Sequence, residues 1–239
     1  MNPNDLLEQF LGVKSSDSTR KTQASNPSAS GSLDLGSFGG GALAGGILGL
    51  LLGNKKARKM AGGVVGYGGA AAAGAMAYKA YQSWQQGREV AAAPVVTAED
   101  IVQVDHTFQP AAMKTRNGQP FQLVMINAMI AAAKADGHVD AAEMKTIFDR
   151  VEKMSLDAES KAFVFDALSQ ATDIDALVSA VNGVEQAAEV YLVSRLAVDV
   201  DHPAERIYLD VLANKLSLPR ELVTHLDHQA DHARIQLRG

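Results

Sequence analysis

The sequence predicts an all-α protein in two unequal parts, a glycine-zipper hydrophobic segment followed by a helical bundle of about seven helices. Three observations predict it. Fifteen of the 21 glycines lie between Gly31 and Gly74, a density that costs too much backbone entropy for an ordinary soluble helix. Beyond Pro120 the apolar residues recur at helical spacing and no stretch alternates as a strand would. Pro94, Pro110 and Pro120, among polar and small residues, punctuate the chain between these regimes. The expected divisions are a short helix and tether over 1–37, one or two membrane segments over 38–86, a linker over 87–117 and a helical domain over 118–239.

A formal charge of −5 and a pI near 5.7 argue against general nucleic-acid binding, which relies on basic patches that displace condensed counterions. With no cysteine, disulfide frameworks, thiolate zinc sites and cysteine nucleophiles are excluded. The start MNPNDLLEQFLG lacks a basic region followed by an apolar run. No cleavable signal peptide is expected, and any membrane insertion would use internal segments.

Residues 3–12 fit a short amphipathic helix with Leu6, Leu7, Phe10 and Leu11 on one side, or a frayed terminus. Ser15 to Ser37 reads as a flexible tether. Leu35 to Asn54 is uncharged and about 20 residues long, enough to cross a hydrocarbon layer as a helix. A second uncharged stretch, Met60 to Tyr78, is almost wholly Gly and Ala. Small residues recur every fourth position at Gly41, Gly45, Gly49 and Gly53, then at Gly62, Gly66, Ala70 and Gly74. On helices these form smooth stripes that let backbones approach closely, the main source of helix association in lipid. The pair therefore fits a helical hairpin or a homo-oligomerising span, or else a low-complexity Gly/Ala segment that lies on the surface or stays disordered. Lys55, Lys56, Arg58 and Lys59 between them favour the cytoplasmic side and anionic headgroups. One span would put the chain ends on opposite sides of the bilayer and two would put them together. Tyr78, Tyr81 and Trp84, with Lys79 and Arg88, resemble an interfacial belt or the end of a solvated helix.

In the helical domain, Phe121 to Ala135 is apolar nearly all round and too short for a span, which makes it a buried central helix. Met144, Ile147, Phe148 and Val151 mark the next. Phe163, Val164, Ala167 and Leu168 mark a third, and Ile174, Leu177, Val178 and Val181 a fourth that Gly183 can end. Tyr191, Leu192 and Leu196 belong to a second central helix. Ile207, Val211 and Leu212 face inward from a sixth begun at Pro203, and Ser217 and Pro219 open the last.

Two acidic turns follow the two central helices: Asp136, Asp140 and Glu143 after the first, and Asp199, Asp201 and Glu205 after the second. Clustered carboxylates are hard oxygen donors suited to a divalent cation, Ca²⁺ or Mg²⁺. The same residues fit helix capping, with Asp140 and Glu143 at capping-box spacing and Gly137 supplying a turn. Neither turn has EF-hand spacing, and no nucleophile or cleft motif accompanies them, so no enzyme is expected. In the last helix Glu221, His225, His228 and His232 share a face, spaced either for imidazole metal ligation or as a solvated row. Gly49 to Lys56 lacks the spacing and the Ser or Thr of a phosphate-binding loop.

GGALAGGILGLLLGNKKARKMAGG and YGGAAAAGAMAYKAYQSWQ closely resemble the YebE family of bacterial inner-membrane proteins. AMIAAAKADGHVDAAEM and SRLAVDVDHPAERIYLDVLANKLSLP look like the two acidic motifs of the tellurite-resistance TerB-like domain. The resemblance implies a pseudo-symmetric helical fold at the inner (cytoplasmic) membrane, linked to stress or metal responses and not to catalysis. It carries over onto Lys134, Asp136, Gly137, Asp140 and Glu143, and onto Asp199, Asp201 and Glu205. The functions expected are a membrane-anchored interaction or metal-sensing module of the bacterial envelope or, alternatively, a glycine-zipper oligomer that recruits protein partners without metal. The expected partners are the lipid bilayer, further copies of the chain and an unidentified protein, with no nucleic acid.

Overall fold

The apolar periodicities become helices packed round one nearly encircled helix. A computed structural model describes residues 2, 3, 6, 7, 69–135, 158–198, 200 and 202–238. Its helices are α1 Gly69–Gln85, α2 Ala98–Val102, α3 Phe121–Ala133, α4 Ala158–Ser169, α5 Ile174–Ala180, α6 Gly183–Ala197, α7 Pro203–Lys215 and α8 Arg220–Arg238. Among the described residues there is no strand, only isolated bridging such as Lys114 with Pro120.

The centre is α6. Residues 186 to 195 are all buried, whichever way their side chains point. Helix α3 lies against it, with α8 and α1 on further flanks, while α7 and the 3-10 turn His106–Phe108 complete the enclosure. The expected central pair, α3 and α6, is therefore observed. Fully buried leucines, among them Leu192, Leu212, Leu222 and Leu226, each contribute about 2 kcal/mol by leaving water. The expected helix around Met144 to Val151 lies outside the described residues.

Helix α1 arises from the second glycine- and alanine-rich stretch. Alanine has the highest helix propensity, and Ala72, Ala73, Ala75, Ala77 and Ala80 are buried where α1 meets the domain. Small side chains allow it to lie close to both α6 and α8. Tyr78 and Tyr81, expected at a lipid interface, instead tilt against Phe108 with ring centroids 5.3 and 5.4 Å away. The core thus extends across the boundary expected near Gly118.

Residues 87–117, expected as linker, are built of turns and short helices. Thr97 and Asp100 form a capping box on α2, Asp105 caps the turn His106–Phe108, and Phe108 is 1% exposed. Buried Pro110 opens the turn 110–112, and Val96, Ile101, Val104 and Phe108 add to the core, so this stretch packs on the bundle. Pro203 opens α7 as expected, with His202 Nδ1 accepting from the Ala204 amide at 3.2 Å.

Two local expectations differ. Helix α5 stops at Ala180 before Gly183 is reached, and Gly183, at φ +81°, begins α6. Ile207 is 62% exposed: the inward stripe of α7 runs through Tyr208, Leu209 and Leu212, a helical phase about 100° from the one assigned.

Among the described residues no helix is long and apolar enough to cross a membrane.

Candidate functional site

Of the proposed cation ligands, Asp136, Asp140, Glu143, Asp199 and Asp201 lie outside the described residues. Glu205 stands in the first turn of α7, half-buried. Of the zipper positions, Gly41, Gly45, Gly49, Gly53, Gly62 and Gly66 also lie outside them. Gly74 is buried in α1, where a Cβ would sit 2.1 Å from the Phe108 carbonyl oxygen and 3.2 Å from Pro110 Cδ. Its lack of a side chain thus serves a close approach within this chain.

Lys134, the lysine of the first acidic motif, reaches across to α4. Its Nζ donates to the Leu168 carbonyl at 2.7 Å and to the Gln170 carbonyl. These are carbonyls at a helix C-terminus, where a cation satisfies acceptors that the helix leaves open. Partial burial lowers the pKa of this amine.

The histidine row of α8 is not a solvated face. His225 is 3% exposed. Its Nδ1 is buried without a hydrogen-bond partner, and its ring faces the Arg88 backbone, which favours the charged form. One turn on, His228 Nε2 lies 3.2 Å from the Ala93 carbonyl. Beside it Gln229 donates to the Pro94 carbonyl at 2.8 Å and accepts from the Val96 amide at 3.3 Å. Together these side chains strap the extended residues 93–96, which follow the 3-10 turn Val90–Ala92, onto α8. Burial lowers the His225 pKa; the Arg88 backbone opposes this, and the nearby His228 adds to the lowering. His228 and His232 meet edge to face with centroids 4.5 Å apart. Among the described residues no group of three or more His, Asp or Glu side chains is placed to hold a metal.

Two features of α6 escaped the sequence reading. Arg195, 8% exposed, carries its charge to α8: its Nε lies 3.3 Å from Asp227 Oδ1 and its guanidinium donates to Asp231 at 2.5 Å. Tyr191 donates to the same Asp227 oxygen at 3.0 Å. Burial raises the Asp227 pKa, while Tyr191 and Arg195 oppose the rise. Glu189 is 0% exposed, and both its carboxylate oxygens are buried without a hydrogen-bond partner. Desolvation pushes its pKa well above the ordinary glutamate range, because a charge without a partner is far costlier to bury than a neutral acid. The signal in the sequence was a lone acid in AAEVYLV, the most apolar part of a helix assigned to the centre.

This arrangement defines an all-helical protein whose described polar side chains serve mainly to bind its own elements together. Residues 37–230 match DUF533, a family described as protein of unknown function, and the chain belongs to that family. The match runs from the first glycine-rich stretch into α8. The chain is also 30% identical over 98 residues to an "Uncharacterized protein in ampR 5'region" of Yersinia enterocolitica, covering 41% of this chain and 70% of that one. No solved structure matches the chain.

Proposed function

We propose that the protein is a non-enzymatic scaffold held at the bacterial inner membrane by its glycine-rich segment, with the helical domain as a head that meets protein partners. One observation carries the reading. Helix α1 begins within the second glycine-rich stretch and forms a wall of the head against α6 and α8. No linker intervenes, so whatever holds the stretch holds the head. The basic cluster Lys55, Lys56, Arg58 and Lys59 adds attraction to anionic lipid, about 1 kcal/mol for each residue near the surface.

Flotation of the full chain with vesicles of phosphatidylethanolamine and phosphatidylglycerol tests it. The protein should float, and replacing the four basic residues by Gln should weaken binding steeply. Wild-type protein that stays at the bottom sinks the membrane reading.

We also propose a finer kinship, with the YebE family and the TerB-like domain, and it supports a second reading. The acidic turns follow directly after α3 and α6, the packed central pair, and are proposed to hold Ca²⁺ or Mg²⁺. Titration of either ion should then raise the melting temperature of the full chain, since a ligand of the folded state stabilises it. The rise should vanish in Asp136→Ala/Asp199→Ala, and no rise in wild type removes metal sensing while leaving the scaffold.

A further inference from the structure

Leu6 and Leu7 are 0% exposed and belong to the same hydrophobic cluster as Ala73, Ala77 and Leu192. The Leu6 amide bonds to the Asn2 carbonyl at 3.1 Å, one helical turn back. The first turn of the chain is therefore seated in the core of the head, although residues 8–68 separate it in sequence from α1.

We infer that the N-terminal turn is an intramolecular ligand of the helical domain, and that this docking fixes how the chain meets a membrane. Residues 7 and 69 then lie on the same side of any bilayer, and the chain between them crosses an even number of times. Leu35 to Asn54 has the length for one crossing. A return is not available. Lys55, Lys56, Arg58 and Lys59 come first, and residues 60–68 as a helix reach only ~14 Å, against a hydrocarbon thickness of ~30 Å. An extended crossing would leave backbone groups unpaired in lipid. Helix α1 cannot lend its residues, because Ala72 to Ala77 and Ala80 are buried in the head. With the turn docked, the chain enters and leaves the membrane on one face and does not span it.

The docking stands on burial alone; its topological consequence rests on the membrane reading proposed above. The cysteine-free sequence allows a direct test. Asn2 and Gln85 are exposed, and Asn2→Cys/Gln85→Cys in the full chain gives two labelling sites. On vesicles of phosphatidylethanolamine and phosphatidylglycerol, a membrane-impermeant maleimide is followed by intact-mass measurement. Molecules with both labels or none, whatever their orientation, are expected. Predominantly single labels place the sites on opposite faces and overturn the inference, while membrane association stands.

Failure to bind vesicles is a failure of the membrane reading. Docking is then decided in solution by hydrogen exchange. Slow exchange at the Leu6 amide, independent of protein concentration and lost in Leu6→Asp/Leu7→Asp, supports it, and that variant should melt several degrees lower. Fast exchange in wild type, or protection that grows with concentration and so comes from a second copy, overturns it.

Discussion

Replacing Gly74 by alanine sets two effects of opposite sign against each other. In an exposed helix the change should stabilise, by about 1 kcal/mol of propensity. In α1 the new methyl would stand 2.1 Å from the Phe108 carbonyl oxygen, with the Phe108 carbonyl carbon and Pro110 Cδ both at 3.2 Å. The closest atom is backbone, so no side-chain rotation relieves the clash, and the turn His106–Phe108 must move away from α1. That turn carries Phe108, whose ring meets Tyr78 and Tyr81, so these contacts loosen with it. Overpacking of this kind costs about 1–3 kcal/mol, toward the upper end where backbone must shift. After the propensity gain, Gly74→Ala should destabilise the chain by about 1–2 kcal/mol, a fall of about 2–8 °C in melting temperature for a domain of this size. Urea denaturation of the full chain measures the first and a thermal melt the second. Amide exchange over residues 106–112 should quicken. A variant as stable as wild type, or more so, would refute the close approach and return Gly74 to an exposed or lipid-facing stripe.

Two buried groups should tilt the pH dependence in opposite directions. Glu189 keeps its proton in the folded state and releases it on unfolding, so stability falls as pH rises above the ordinary value of 4.5, at up to about 1.4 kcal/mol per pH unit. Glu189→Gln should flatten that slope and be the more stable protein at pH 8 in a denaturant titration; an unchanged slope would mean the carboxylate is charged and paired. His225, whose folded pKa is lowered, stays neutral in the fold while the unfolded chain takes up a proton, so stability falls as pH drops below 6.5. Melts of His225→Gln between pH 7.5 and 5.5 should lose that acid-side decline. Arg195 is buried, but Asp227 and Asp231 are 38% and 56% exposed at the side chain. A double-mutant cycle of Arg195→Met with Asp231→Asn should therefore give a solvent-screened coupling of about 1 kcal/mol, and zero coupling would show that the bridge contributes only geometry.

The helices were legible where one physical signal dominated. Phe121 to Ala133 has no polar face, so it could only be central, and Pro203 announces α7 because its missing amide is harmless at a helix start. Other signals admit two causes that sequence does not separate. Tyr78 and Tyr81 at the end of an apolar stretch suit a lipid interface and a protein core equally. What decided was Phe108, brought onto them by turns some 30 residues later. A glycine at positive φ can end a helix or begin one, and Gly183 begins α6. The histidines of α8 look like a ligand row until His225 is seen to be buried and His228 to be engaged by the Ala93 carbonyl. Composition marks an acid such as Glu189 as surface, whereas its position on α6 places it among buried neighbours on every side.

Gln229 makes one amide group behave as a length of sheet. By accepting from the Val96 amide and donating to the Pro94 carbonyl, it gives the extended segment the paired contact that a neighbouring strand would supply, from a helix. Among the described residues, the hydrogen bonds that Pro94 and Val96 make to another element run to α8. Solvent exchange at Val96 should therefore follow the opening of α8 and not that of the nearer α2, making a single amide proton a gauge of when the C-terminal helix lifts away.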